Sequence, residues 1–274
     1  MSPPPDDLGP ATEMYRHRAD TLVDDRGDGP ALVLSHGTLM DRTMFRPQQD
    51  ALADDYRVVA YDNRARTDNW RGPYDLDDLT DDCRTLLDAL GVDSCVLGGM
   101  SMGGFMALRF ALRYPDSLDG LVLIDSMAQP HPEADRERYG GMVDRAKAAD
   151  ELPPDLAEVV AHILFGPTTN EEHPELVDAW KNRWLTYPGE AVHDEVHSWL
   201  NRPGVVDRLD EIDVPTLVVH GAEDLSIDPE YGESMADAIP DARFVEVPGA
   251  GHSSNVENPE VVNDALREFL DEVY

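Results

Sequence analysis

Six short Val- and Leu-rich runs constrain this chain more than any other feature. They are ALVLSHG (31–37), YRVVAYD (56–62), SCVLGGM (94–100), GLVLID (120–125), TLVVHG (216–221) and ARFVEVPG (242–249), each bounded by Gly, Asp or Pro. Runs this short and this continuously apolar suit strands of a parallel sheet covered on both faces. Segments with apolar residues at helical spacing lie between them, including LDDLTDDCRTLLDALGV (76–92), GGFMALRFALRYP (103–115) and PEVVNDALREFLDEV (259–273). The alternation predicts an α/β fold, a mostly parallel sheet flanked by helices. The stretch MYRHRADTLVDDRGDGP (14–30) alternates and then turns, and is expected to be an antiparallel edge hairpin. From about Met127 to Val214 no strand-like run occurs, whereas helical patterns do, together with Trp180, Trp184 and Trp199. An inserted helical cap is therefore expected over 127–205, with the core formed by 1–126 and 206–274.

The charge balance is extreme. The 274 residues include 56 acidic and 22 basic side chains, for a net charge of −34, and only Lys147 and Lys181 are lysines. The acids interrupt clear apolar runs, so they read as a solvated coat on a folded core rather than as a sign of disorder. Acid-rich, lysine-poor composition is expected of a halophilic protein. Such a surface disfavours nucleic acid and anionic membranes as partners. Cys83 and Cys95 are too few for a disulfide framework and lack metal-site spacing. The opening MSPPPDDLGP has no basic region followed by an apolar stretch, so a frayed tail and a cytoplasmic location are expected.

The chemistry concentrates at GGMSMGGF (98–105), where Gly99, Ser101 and Gly103 make a G-x-S-x-G pattern between a strand and a helix. That setting is a nucleophile elbow: a strained turn that exposes a serine at a helix N-terminus. A serine nucleophile needs a base, and the base an orienting acid, which this kind of elbow takes in the order Ser, acid, His. His252, in the Gly-rich loop VPGAGHSSNVENP, is the candidate base. Asp224, in VVHGAEDLSIDP, is the candidate acid, with Asp125 at the end of GLVLID as its rival. An oxyanion needs two N–H donors. One is expected from Met102 and the other from Thr38, with Leu39 as second choice; His36 reads as a structural loop residue. HDEVH (193–197) spaces His193 and His197 by four residues but reads as a solvated helix face, since its Glu195 is misplaced for an H-E-x-x-H zinc motif. Met142 and the tryptophans fit an acyl pocket or the core of the cap equally well.

The segments SHGTLMD (35–41), GGMSMGG (98–104), GAEDLSIDP (221–229) and GAGHSSNVENP (249–259) resemble those of α/β-hydrolases, in particular the capped esterase, enol-lactonase and cofactor-free haloperoxidase group. The resemblance covers roughly residues 14–126 and 206–273. It implies a serine hydrolase for a small carboxylic ester or lactone, with Ser101, His252 and Asp224 as triad and no metal or organic cofactor. C–C bond hydrolysis, perhydrolysis, acyl transfer and a non-catalytic ligand receptor remain alternatives on the same fold, and the oligomeric state stays open. One departure stands out. The family usually has D-x-R-G-x-G-x-S after the second core strand, and this chain has DNRARTDN (62–69), with Ala65 and Thr67 in place of glycines.

The acidic coat generates a salt prediction. Crowded like charge destabilises the compact state, and screening relieves it as the Debye length falls from about 10 Å at 0.1 M to about 3 Å at 1 M salt. Thermal melting across a KCl series should show Tm rising over that range and then levelling. A flat or falling Tm would mean the coat is not a salt adaptation.

Overall fold

The computed structural model of the protein describes residues 14–16 and 20–274. The expected N-terminal tail lies outside the described residues. The strands are β1 (Met14–Arg16), β2 (Asp20–Arg26), β3 (Ala31–Ser35), β4 (Arg57–Tyr61), β5 (Cys95–Met100), β6 (Leu118–Ile124), β7 (Thr216–Gly221) and β8 (Ala242–Val247). They form one sheet in the order β1-β2-β4-β3-β5-β6-β7-β8. The six apolar runs supply β3 to β8, which pair in parallel. The hairpin β1–β2 joins the edge antiparallel to β4.

The helices follow from local chemistry. After α1 (Arg46–Leu52) and β4, α2 (Leu76–Leu90) starts at a capping box, in which Asp75 accepts from Asp77 and Asp78 while Asp78 accepts from the Asp75 N–H. It ends at Gly91, whose φ of 66° suits glycine. Its buried stripe is Leu76, Leu79, Thr80, Cys83, Leu86 and Leu87, while Asp77, Asp81 and Asp88 face solvent. This is the acidic coat at the scale of one helix. The connection from β3 runs to β4 on one side, and the connection from β4 returns past β3 to β5. Right-handed crossovers in opposite directions put α1 and α2 on opposite faces. The direction of winding thus reverses between β3 and β5, and the carboxyl ends of these two strands open the crevice where open α/β sheets place ligands.

Beyond β5 come α3 (Met102–Arg113), β6 and the helices between β6 and β7, in the segment expected to be a cap and called the cap helices below: α4 (Glu133–Lys147), α5 (Pro154–Leu164), α6 (Pro167–Glu172), α7 (Pro174–Trp184) and α8 (Gly189–Leu200). The chain then re-enters the sheet as β7 and finishes through α9 (Pro229–Ala238), β8, the short α10 (Ser254–Glu257) and α11 (Pro259–Val273). Trp184 and Phe165 stack inside the cap, fully buried. Among the described residues no helix is long and apolar enough to cross a membrane.

Candidate active site

Ser101 stands between β5 and α3 with φ 51° and ψ −113°. A non-glycine residue held there costs about 1–3 kcal/mol, so its surroundings must over-determine it. They do so through hydrogen bonds on both sides. The Ser101 N–H donates to Ile124 O at 2.8 Å, while its carbonyl accepts from Phe105 N–H and from the Ser126 hydroxyl. Gly103 lets the first turn of α3 lie against β3, for a Cβ there would collide with the Ser35 carbonyl.

The loops after β7 and β8 bring the partners. His252 Nε2 lies 2.9 Å from Ser101 Oγ, and His252 Nδ1 lies 2.7 Å from Asp224 Oδ2. Asp224 Oδ1 accepts the N–H groups of Ser226 and Ile227 at 2.7 and 2.9 Å. His220 Nε2 faces both Asp224 Oδ2 and Ile227 O at 3.0 Å, and its Nδ1 has no partner, so Nε2 carries the proton and donates. Burial alone would raise the Asp224 pKa, but the two histidines more than offset it and hold the carboxyl below its usual range. For His252, burial pulls downward, while the Asp224 charge and hydrogen bond, with Asp125, bring the net shift above the usual imidazole value. Asp125 does not touch the His252 ring. Its two oxygens accept from Gly221 and Ser254 N–H, each at 2.8 Å, and so brace the ends of both loops.

Thr38 and Leu39 approach from the loop after β3. A Cβ on Gly37 would lie 3.2 Å from Ser101 Cβ, and Thr38, Leu39, Ser101 and His252 all line one cavity. Leu39 has φ 64°, and its N–H donates to Glu195 Oε2 on α8 at 3.2 Å. Thr38, the expected second donor, precedes Leu39 on this loop and lines the cavity with Ser101, and Met102 stands at the first turn of α3. His36 accepts from Asn63 N–H through Nε2 and donates from Nδ1 to Gly37 O. Burial and the nearby Arg66 push its pKa down to about 3, so it is a neutral tie between two loops.

Two buried pairs beside the site were not foreseen from the sequence. In the first, Glu195 is fully buried and pairs with Arg66 Nη2 at 2.8 Å, and Arg66 Nε donates to Met40 O at 2.9 Å. Together they grip the Leu39–Met40 turn, Glu195 from α8 and Arg66 from the loop after β4. The reading of HDEVH as a solvated face holds for the exposed His197 but fails for Glu195, which falls in the stripe Val192, Glu195, Val196, Trp199. A carboxylate in an apolar stripe was the available signal. Arg66 belongs to the divergent loop DNRARTDN, where Arg64–Arg66 form a 3-10 turn. Neither Ala65 nor Thr67 has a positive φ, which is why the loop needs no glycine there. In the second pair, Arg202 Nη1 donates to His131 Nδ1 at 2.6 Å. Burial and Arg202 hold His131 neutral, with its pKa at about 3, so its proton is on Nε2.

The cavity runs from Ser101 into the cap. Its walls are mainly apolar: Tyr139, Met142 and Val143 from α4, Ile163 from α5, Val196 and Trp199 from α8, with His131 among them. Trp180 and Trp184 are not in the lining. Of two carboxylate–histidine clusters among the described residues, Asp125–His220–Asp224 is buried and consumed by the hydrogen bonds above, whereas Asp144–His193–His197 lies on the outer side of α4 and α8. A serine on this hydrogen-bonded line can lose its proton to His252 as it attacks a carbonyl.

The sequence matches the alpha/beta hydrolase fold over residues 30–259. The chain belongs to that family. An esterase of Thermogutta terrifontis has a similar structure, with TM-score 0.87 and 35% identity, covering 92% of this chain and 93% of that one. The enol-lactonase of Burkholderia xenovorans superposes with TM-score 0.84 at 26% identity, covering 92% and 96%. RutD of Caulobacter segnis, whose name assigns it to carbamate hydrolysis, is 28% identical over 250 residues, covering 88% of this chain and 91% of RutD. The family and these likenesses make this α/β hydrolase a hydrolytic enzyme.

The Glu195 grip yields a prediction. Glu195→Ala leaves Arg66 buried and uncompensated, at a cost of about 3–5 kcal/mol, and frees the Leu39 turn. In the fraction that stays folded, kcat for hydrolysis should fall on the order of 10²-fold with KM little changed. Glu195→Gln, which keeps an acceptor for the Leu39 N–H, should lose less. Unchanged kcat in folded Glu195→Ala would show that the turn holds its position without the cap.

Proposed function

We propose that this hydrolase cleaves a carboxylic ester or lactone through an acyl-enzyme on Ser101. The observation that carries the reading is the unbroken hydrogen-bonded line Ser101–His252–Asp224 at the floor of an apolar cavity. Ser101 Oγ attacks the carbonyl carbon while His252 Nε2 takes the hydroxyl proton. Asp224 fixes the ring with Nδ1–H toward it and stabilises the imidazolium that forms. The oxyanion receives the N–H groups of Met102 and Thr38. Collapse of the tetrahedral intermediate expels the alkoxide, which takes its proton from His252. Water, deprotonated by the same ring, then releases the acid and restores Ser101. The reading calls on no metal or organic cofactor.

Segment 127–205 acts here as the cap and 1–126 with 206–274 as the core. The cap wall favours an apolar acyl or alcohol group, and His131, neutral with its proton on Nε2, adds a polar group to it. The likeness to RutD favours carbamates as a second substrate class, since the same attack applies to their carbonyl. A panel of p-nitrophenyl esters of rising chain length, lactones and alkyl carbamates separates the two.

Ser101→Ala and His252→Ala are each expected to lose turnover on the order of 10⁴-fold or more while folding normally. Asp224→Asn should cost far more kcat than Asp125→Asn. The base works as neutral imidazole, and its pKa is raised. Activity should therefore be complete at alkaline pH and fall away on acidification through a midpoint above the usual imidazole value of about 6.5. Near wild-type rates in a folded Ser101→Ala enzyme would contradict the mechanism, and an acid limb below about 6.5 would contradict the raised pKa of His252.

A further inference from the structure

The outer face of α8 carries a cluster that the hydrolytic site does not use. His193 and His197 are four residues apart and so project from one side of the helix, their ring centroids 4.2 Å apart. Asp144 reaches them from α4. One ligand atom from each of the three lies within 4.8 Å of the others. His193 Nδ1 is held 2.9 Å from Asp194 Oδ1, and Asp194 Oδ2 in turn accepts the Gly72 N–H at 2.9 Å. His193 Nε2, on the other side of the ring, lies 3.6 Å from Asp144 Oδ1.

We propose that Asp144, His193 and His197 bind a divalent transition metal of the zinc class, which clips α4 to α8. Imidazole nitrogens select zinc, cobalt, nickel or copper over magnesium and calcium, which prefer all-oxygen sites. Two ligands on a tetrahedral zinc with bonds of about 2.0–2.1 Å stand roughly 3.3 Å apart, so small rotations of the exposed His197 and Asp144 side chains close the site. The carboxylate on the far nitrogen of His193 is the partner that metal-bound histidines commonly have. Asp194 and Glu190 add negative charge at the rim, against Lys147. Three protein ligands leave a position for water, and the site faces solvent.

The clip has a consequence inside the protein. α4 and α8 are the helices whose inner faces wall the cavity, through Tyr139, Met142, Val143, Val196 and Trp199. Glu195, in the same helical turn as the two histidines but on the inner side, holds the Leu39 N–H. A metal on the outside thus steadies the wall of the pocket, and its binding does not depend on what the enzyme hydrolyses.

The test is calorimetric titration of the chelator-stripped full-length chain with zinc, in about 1 M KCl and excess magnesium to occupy the acidic coat. One equivalent should bind saturably and raise Tm. His197→Ala and Asp144→Asn, both at exposed positions, should each weaken binding about tenfold or more, and Asp194→Asn should weaken it by about 10–100-fold. The zinc-dependent rise in Tm should vanish in His193→Ala/His197→Ala. Cobalt(II) should give a visible ligand-field spectrum in the wild type that this double variant lacks. Absence of saturable zinc binding, or equal binding by the folded double variant, would overturn the site.

Discussion

The left-handed turn at Ser101 is the constraint on which the rest of the molecule depends. A side chain at φ 51° is costly, and the chain meets that cost by fixing both neighbours of the turn: β5 in the centre of the sheet and α3 packed directly behind it. Gly103 is required because the helix begins against the end of β3. Given that turn, the serine is lifted clear of the sheet's carboxyl edge, and every other element of the site has only to reach one point. The loops after β7 and β8 do so under a shared brace, the Asp125 carboxylate, itself on a left-handed residue at the end of β6.

The buried carboxylates show how a chain of net charge −34 manages its core. Asp24 and Asp62 face Arg42, Glu195 faces Arg66, Asp125 accepts two backbone N–H groups, and Asp224 accepts two backbone N–H groups and two imidazoles. Each has a definite partner, as burial of charge demands. The acids Asp77, Asp81 and Asp88 of α2 instead face solvent on its outer side. Charge therefore divides cleanly between a coat, where it is exchangeable and screened by salt, and a few interior positions, where it fixes geometry.

Much of this was legible in the sequence because the signals are local. A buried parallel strand shows as a short apolar run, and all six runs became strands, although β8, whose run includes Arg243 and Glu246, is a half-buried edge strand. α2 and α11 show their faces through spacing alone, and α11 spans Pro259–Val273 as its pattern predicts. Ser101, Asp224 and His252, which the fold brings together, each stand in a loop at a strand's carboxyl end, where glycines and turn residues mark them. Glu195 was illegible for the opposite reason. Its partners Leu39 and Arg66 are 156 and 129 residues away, and only the packing of α8 against the loops after β3 and β4 makes them neighbours. His131–Arg202 and His220–Asp224 likewise depend on packing. The Trp residues divide by the same logic: Trp199 lines the cavity and Trp184 fills the cap, a difference in orientation that composition does not encode.

The central claim is that Ser101 is a nucleophile activated by His252, and covalent trapping tests it most directly. The protein should be treated with a fluorophosphonate, its intact mass measured, and the modified peptide sequenced while residual hydrolysis is followed. The account predicts one adduct per chain, on Ser101, formed in step with loss of hydrolysis and strongly slowed in His252→Ala. Hydrolysis that persists with Ser101 fully labelled, or an adduct on a different residue that abolishes it, would contradict the account.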